Sequence, residues 1–121
     1  MSKRGDLYKR ADSAVSKYVR AITEEKYGGC PFCNGEIQCC FHFIRRGYFP
    51  VRFNLDNLVG SCFACNGDME NNPVKYIQWF YKKRSKKLYN ELMVKGYSTN
   101  KLENYELDEI RKKYEKKLTT V

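Results

Sequence analysis

The chain has 121 residues, a formal net charge of +9 and 15% aromatic residues, with six cysteines and one histidine. That length suits one domain or a small core with helical extensions, and aromatics without a low-complexity tract exclude a disordered chain. No run approaches the ~18 apolar residues of a membrane span, and the opening MSKRGDLYKR lacks the apolar segment of a secretory signal, so a soluble, cytoplasmic protein with no membrane partner is expected.

In residues 1–29, Leu7, Ala11, Ala14, Val15, Tyr18, Val19 and Ile22 recur at helical spacing, with Asp6 as the candidate N-cap and Gly28-Gly29 as the stop. Residues 30–65 change character. Short apolar runs, Gly35, Gly47, Gly60 and Pro50 predict short strands and loops around the cysteines, and Arg52 is expected to begin a strand. From Asn71 or Asn72 to Gly96 one long helix is predicted, with Pro73 in its first turn. Its apolar residues Val74, Ile77, Trp79, Phe80, Tyr81, Leu88 and Leu92 are too many for one stripe, so it is either buried on two sides or partly turned to a partner. A last helix covers about residues 104–118, on Leu107, Ile110, Tyr114 and Leu118.

Charge divides along the chain. Residues 1–27 hold seven Lys/Arg against four Asp/Glu, residues 28–72 three against four, and residues 73–121 thirteen against six. A near-neutral, cysteine-rich centre between basic flanks points to a phosphate polyanion as partner; the alternative is the solubility that lysine-rich helix faces give.

Cys30-Pro-Phe-Cys33 and Cys62-Phe-Ala-Cys65 are two Cys-x-x-Cys pairs separated by 28 residues. Two such pairs supply four thiolates to a tetrahedral ion, which suits structural Zn²⁺. The spacer exceeds the usual ~15–20 residues by enough for a two-stranded excursion. In a reducing compartment paired cysteines are more readily metal ligands than disulfides. A thioredoxin-like redox pair would need a strand–helix–strand pattern, which neither motif has. Cys39 and Cys40, as neighbours on an extended strand, face opposite sides and read as buried small hydrophobes.

His42 lies between the two pairs, as does Asn57, and Asn66 follows the second pair directly. A lone histidine is more often structural than catalytic. Here Cys30/Cys33, His42-Phe43, Arg52-Phe53, Asn57, Cys62/Cys65-Asn66, Asn72 and Tyr76 follow in an order that resembles the HNH, or ββα-metal, nucleases, closest to the lambdoid phage NinG (Rap) recombination endonucleases. The resemblance covers residues 30–76 well and 105–118 loosely, leaving the N-terminal helix unexplained. Phage endonuclease VII, a branched-DNA resolvase, is similar in its paired knuckles and Cys-Asn step.

An α+β fold with three parts is expected. Residues 1–29 are an amphipathic helix by their apolar spacing and residues 77–121 basic C-terminal helices continuing from the core; the resemblance implies a four-cysteine-zinc ββα-metal (HNH, treble-clef-like) core over residues 30–76. It implies a metal-dependent endonuclease acting on DNA, with branched recombination intermediates as substrate class, and a homodimer is compatible with cutting two strands. His42, ending the first strand, would be the general base. Asn57 would fix the turn between strand and helix and orient His42; without the motif it is a loop residue. Asn66 would open the helix beside the zinc and offer its amide oxygen to Mg²⁺ or Mn²⁺, hard cations distinct from the thiolate-bound zinc; helix capping is its other reading, and the two can coexist.

Many HNH enzymes carry a ligand just before that histidine, where this chain has Phe41. Asn72, Asp68, Glu70 and Asp56 are the remaining oxygen candidates. Arg45, Arg46 and Arg52 are expected near the scissile phosphate. Lys82, Lys83, Arg84, Lys86 and Lys87 form either a surface that tracks the DNA backbone or a solvated helix face. The aromatics read more readily as core than as base-stacking platforms. Two other functions stay open: a zinc-containing nucleic-acid-binding protein on an inactive HNH scaffold, and a protein–protein adaptor in phage replication or recombination.

Overall fold

A computed structural model describes residues 3–98 and 101–119. Five helices surround one two-stranded antiparallel sheet, an α+β arrangement. Helix α1 spans Lys3–Tyr27. It already runs at Lys3, so Asp6 lies in its first turn, where its charge complements the helix dipole, and does not cap it. Gly28 ends it at φ 72°, its N–H donating to the Glu24 carbonyl at 2.8 Å, a left-handed stop that glycine adopts without a Cβ penalty.

Strands β1 (Cys39–His42) and β2 (Leu58–Ser61) pair with Cys39 opposite Ser61 and His42 opposite Leu58. The alternation of side chains splits the core in two. Leu58 joins Ala11, Ala14, Val15 and Val19 of α1 and Leu107 and Tyr114 of α5 (Asn104–Leu118), with Cys40 packed against them. Phe41 and Val59 enter an aromatic cluster on the opposite face, with Phe43, Tyr76, Phe80 and three of the cysteines. The sheet is thus the middle layer. Arg4 fastens α1 to the start of α5 through the Leu102 carbonyl and the Asn104 side chain, the latter at 3.1 Å.

Thr23 joins α1 to the sheet. Its hydroxyl donates to the Val19 carbonyl at 2.7 Å and accepts the Gly60 N–H at 2.8 Å, with Thr23 only 4% exposed. A Cβ on Gly60 would come within 2.9 Å of Ile37 and 3.1 Å of Thr23, so glycine permits this approach. Thr23→Val leaves the buried Gly60 N–H without an acceptor and is expected to cost about 1–3 kcal/mol, read as a lower urea midpoint at unchanged slope.

The long helix predicted up to Gly96 is two helices. α3 spans Pro73–Lys83 and α4 spans Lys86–Gly96. Arg84 leaves helical geometry at φ −115°, ψ −81°, and the Ser85 hydroxyl caps α4 by accepting the Leu88 N–H at 2.9 Å. Arg84 turns inward, its guanidinium donating to the carbonyls of Asp56 at 2.6 Å and Leu58 at 2.8 Å. The break resolves the surplus of apolar residues. α3 buries Tyr76 and Phe80, α4 buries Leu92, and both pack on the same aromatic cluster. The boundary expected at 76/77 falls inside α3.

Candidate metal centre and adjoining cleft

The first cysteine pair sits on a tight loop. The Cys30 N–H donates to the Gly35 carbonyl at 2.7 Å, the Asn34 N–H to the Cys30 carbonyl at 2.8 Å, and the Gly35 N–H to the Cys33 sulfur at 3.4 Å. Asn34 takes the left-handed conformation at φ 68°, which asparagine tolerates better than most residues. The second pair opens helix α2 (Phe63–Asp68), with the Cys62 sulfur as N-cap acceptor of the Cys65 N–H at 3.3 Å. Asn66 is therefore inside α2, exposed, and does not begin it.

β1 and β2 bring the two pairs together. The four sulfurs of Cys30, Cys33, Cys62 and Cys65 lie within 4.8 Å of one another, with Cys33 and Cys62 at 3.5 Å. Zinc–sulfur bonds of about 2.3 Å place tetrahedral vertices roughly 3.8 Å apart, so the cluster fits one Zn²⁺. Among the described residues it is the one grouping of three or more His, Cys, Asp or Glu side chains with ligand atoms so close. The Cys65 N–H holds the Cys62 thiol down at about 7, whereas burial pushes Cys65 up. Cys39 and Cys40 lie outside the cluster on opposite faces of β1; burial raises both thiols, Cys40 to about 12. They remain thiols at neutral pH.

Beside this centre lies an open cleft of about 1150 Å³. Its lining includes His42 and Cys40 of β1, Arg45, Arg46 and Arg52 of the following loop, Asp12, Ser13 and Ser16 of α1, and Asn66 and Glu70 at α2. The His42 Nε2 is 3.0 Å from the Arg52 carbonyl. A carbonyl only accepts, so in the neutral ring Nε2 carries the hydrogen and Nδ1 keeps its lone pair. Burial, the largest effect, lowers the His42 pKa to about 4; the Arg52 carbonyl and Asp12 oppose it, while Arg46 and Arg52 reinforce it. At neutral pH the ring is an uncharged acceptor at Nδ1.

Asn57 differs in place from its expectation. It ends a single-turn 3₁₀ helix (Leu55–Asn57) leading into β2, between loop and second strand. It is fully buried. Its Oδ1 accepts the Ile44 N–H at 2.8 Å, and its Nδ2 donates to the carbonyls of Ile44 at 2.9 Å and Val51 at 3.2 Å. It shapes the loop from Phe43 onward and lies behind the cleft lining. Asn57→Ala orphans the buried N–H and carbonyl of Ile44, while the Val51 carbonyl keeps the Asn54 N–H at 3.2 Å; the change is expected to cost roughly 2–4 kcal/mol, measured by urea unfolding.

Arg52 does not begin a strand. It follows a 3₁₀ turn at Phe49–Val51, and its guanidinium pairs with Asp12. Asn72 is absent from the cleft lining: its Nδ2 donates to one Asp68 oxygen at 2.7 Å, and the Tyr76 hydroxyl donates to the other at 2.7 Å. These two hydrogen bonds hold Asp68 below its usual carboxylate range, Tyr76 contributing more. Of the oxygen candidates, Asn66 and Glu70 line the cleft, and Asp56, Asp68 and Asn72 do not. Lys82, Lys83, Lys86 and Lys87 are exposed, the last two on a separate shallow groove with Asn90 and Lys95, whereas Arg84 is fixed inward. Phe41 is fully buried, with ring centroids 5.0 Å from Phe32 and 5.3 Å from Tyr76.

The family model described as bacteriophage lambda NinG protein matches residues 1–121. The chain belongs to the NinG family. The match includes α1, which resemblance at the motifs had left unexplained, so the helix that walls the cleft is part of the NinG unit. No curated protein and no solved structure matches the chain. NinG is a recombination-related phage family. Among the described residues no helix is long and apolar enough to cross a membrane. Asp12 went unread in the sequence, because its partner Arg52 is 40 residues away and no local spacing links them.

Proposed function

We propose that the chain is a metal-dependent DNA endonuclease of the HNH type, acting in phage recombination on branched DNA. The observation that carries the reading is His42: a neutral imidazole in an open cleft, its Nε2 hydrogen engaged by a backbone carbonyl and its Nδ1 lone pair available. Such a group is uncharged at neutral pH and would accept a proton from an attacking water, as a weaker base than a free imidazole because burial disfavours its charged form. Arg45 and Arg46, exposed on the same cleft, would bind the phosphate through paired guanidinium hydrogen bonds. The order of a cysteine knuckle, two antiparallel strands and a helix opening at the second knuckle supports the ββα-metal assignment.

Of the oxygen candidates read from the sequence, Asn66 and Glu70 line that cleft and would offer oxygens to Mg²⁺ or Mn²⁺, with water and phosphate completing the shell. Such a cation supplies charge stabilisation at the phosphate and leaving oxygen. Asp68, Asn72 and Tyr76 instead brace the turn between α2 and α3. Lys82, Lys83, Lys86 and Lys87 would follow the duplex arms by non-specific phosphate contact.

One observation favours a second reading. Phe41 stands where many HNH enzymes place a metal ligand, and it is fully packed among aromatic rings. A scaffold that binds DNA without cutting accounts for that. Cleavage of a labelled four-way junction, a flap and a linear duplex with Mg²⁺, Mn²⁺ or EDTA separates the two. Metal-dependent cutting that favours the junction or flap is the expected result; tight, salt-sensitive binding without cutting under any ion would leave the scaffold reading.

A further inference from the structure

α1 reaches into the cleft with one acid. Asp12 Oδ1 accepts the Arg52 Nε–H at 3.0 Å, and Oδ2 pairs with its Nη2. The guanidinium also sits 5.0 Å from the centre of the Tyr8 ring and donates to the Arg46 carbonyl at 3.4 Å. Its side chain is only 14% exposed, which withdraws Arg52 from the phosphate role expected of it and leaves that role to Arg45 and Arg46. The carbonyl of the same Arg52 engages His42 Nε2. Between β1 and β2 the chain has only two single-turn 3₁₀ helices, so the aim of that carbonyl depends on what holds residue 52.

We propose that Asp12 is a positioning residue for His42, acting through Arg52: by clamping the guanidinium it aims the Arg52 carbonyl and thereby fixes the imidazole with its hydrogen on Nε2. The role of Asp12 in cleavage rests on the reading of His42 as the base; the effect on the ring does not. The charged groups facing His42 are Asp12 from α1 and Arg46 and Arg52 from the loop. Replacing Asp12 removes the bidentate partner and frees the loop, and a small misalignment of a proton-transfer group costs rate out of proportion to the lost contact.

The chain has a single histidine, so nitrogen-15 NMR reads this ring alone. In the wild-type protein, loaded with zinc, the spectrum is expected to show hydrogen on Nε2. In Asp12→Ala a population with hydrogen on Nδ1 is expected, with kcat for junction cleavage lower by roughly ten- to a hundredfold, KM changed less and zinc content unchanged. Arg52→Lys, which keeps a positive charge but not the paired donors, is expected to do the same, and Asp12→Glu to recover part of the loss. Should Asp12→Ala misfold, the same readings on Asp12→Asn decide. A wild-type tautomer and wild-type kcat in folded Asp12→Ala or Asp12→Asn would overturn the proposal. A shifted tautomer in the variants beside a wild type that cuts nothing would sustain the positioning role and sink the nuclease reading.

Discussion

Replacing Cys65 by serine is expected to abolish zinc binding and, with it, cooperative folding of the centre of the molecule. The segment from Cys30 to Asp68 has two four-residue strands and one six-residue helix as its longer regular elements, too little hydrogen-bonded structure to stand alone. Cys30, Cys62 and Cys65 are buried within the aromatic cluster that Phe41, Tyr76 and Phe80 complete. Without the ion, four thiols crowd within 4.8 Å of one another, three of them buried, and no disulfide joins residues 30–35 to residues 62–65. Structural zinc supplies on the order of 10 kcal/mol in small zinc domains, comparable with the whole stability of a typical domain. The variant should therefore lose its metal by elemental analysis and show a broad, lower thermal transition. Residual helix should remain, because α1 and α5 pack on a cluster of their own. Cys40→Ala, outside the four-sulfur group, is expected to keep a full equivalent of zinc. A Cys65→Ser protein that melts within a few degrees of the wild type would refute a structural zinc.

Acid is expected to destabilise the protein through His42 in a defined window. The ordinary imidazole value is 6.5 and burial lowers it to about 4, so the unfolded chain binds a proton between those values that the folded chain refuses. Stability then rises with pH wherever the unfolded state holds more protons. The contribution is fully present above pH 6.5, falls as pH drops toward 4, and is level again below. The gap corresponds to roughly 3 kcal/mol. Because zinc thiolates also release metal in acid, the quantity to measure is the difference in urea-derived stability between wild type and His42→Gln, from pH 7.5 to 4.5. The wild type should lose ground to the variant steadily below pH 6.5. Parallel curves would mean a ring that is protonated as easily in the fold as outside it. The same low value implies a cleavage rate that holds down to about pH 5 and does not halve near 6.5.

Local signals were enough for several parts of this architecture. Two identical Cys-x-x-Cys spacings announce a four-sulfur cluster, and the sulfurs converge. The apolar stripe from Ala11 to Val19 and the Gly28 stop define α1, and the spacing of Leu107, Ile110 and Tyr114 places α5 within a residue or so. Adjacent Cys39 and Cys40 had to separate across a strand, as they do.

What the sequence concealed depends on contacts between distant residues. KKRSKK contains no glycine or proline, so nothing local ends the helix at Lys83; the break follows from Arg84 reaching carbonyls near residues 55–58, with Ser85 as cap. Asn72 and Tyr76 stand out in sequence as a pair four residues apart, yet their shared purpose, holding the two oxygens of Asp68, appears only when the turn between α2 and α3 is folded. The resemblance implies that Asn66 opens the helix, but the Cys62 sulfur already serves as the cap and Asn66 lies inside α2. Arg52 looked like a phosphate ligand until Asp12, from a helix 40 residues earlier, took its guanidinium. In each case the partner of a polar side chain was set by tertiary structure, which no local spacing shows.

In the proposed function His42 is the group that activates water. The most direct test is cleavage of a labelled four-way junction in Mg²⁺ or Mn²⁺ by wild type and His42→Ala, each verified to hold one zinc. Loss of cutting by about a hundredfold or more in His42→Ala, with junction binding retained, is the predicted result. Equal cutting by both proteins would contradict the assignment of His42 and move the chemistry elsewhere in the cleft.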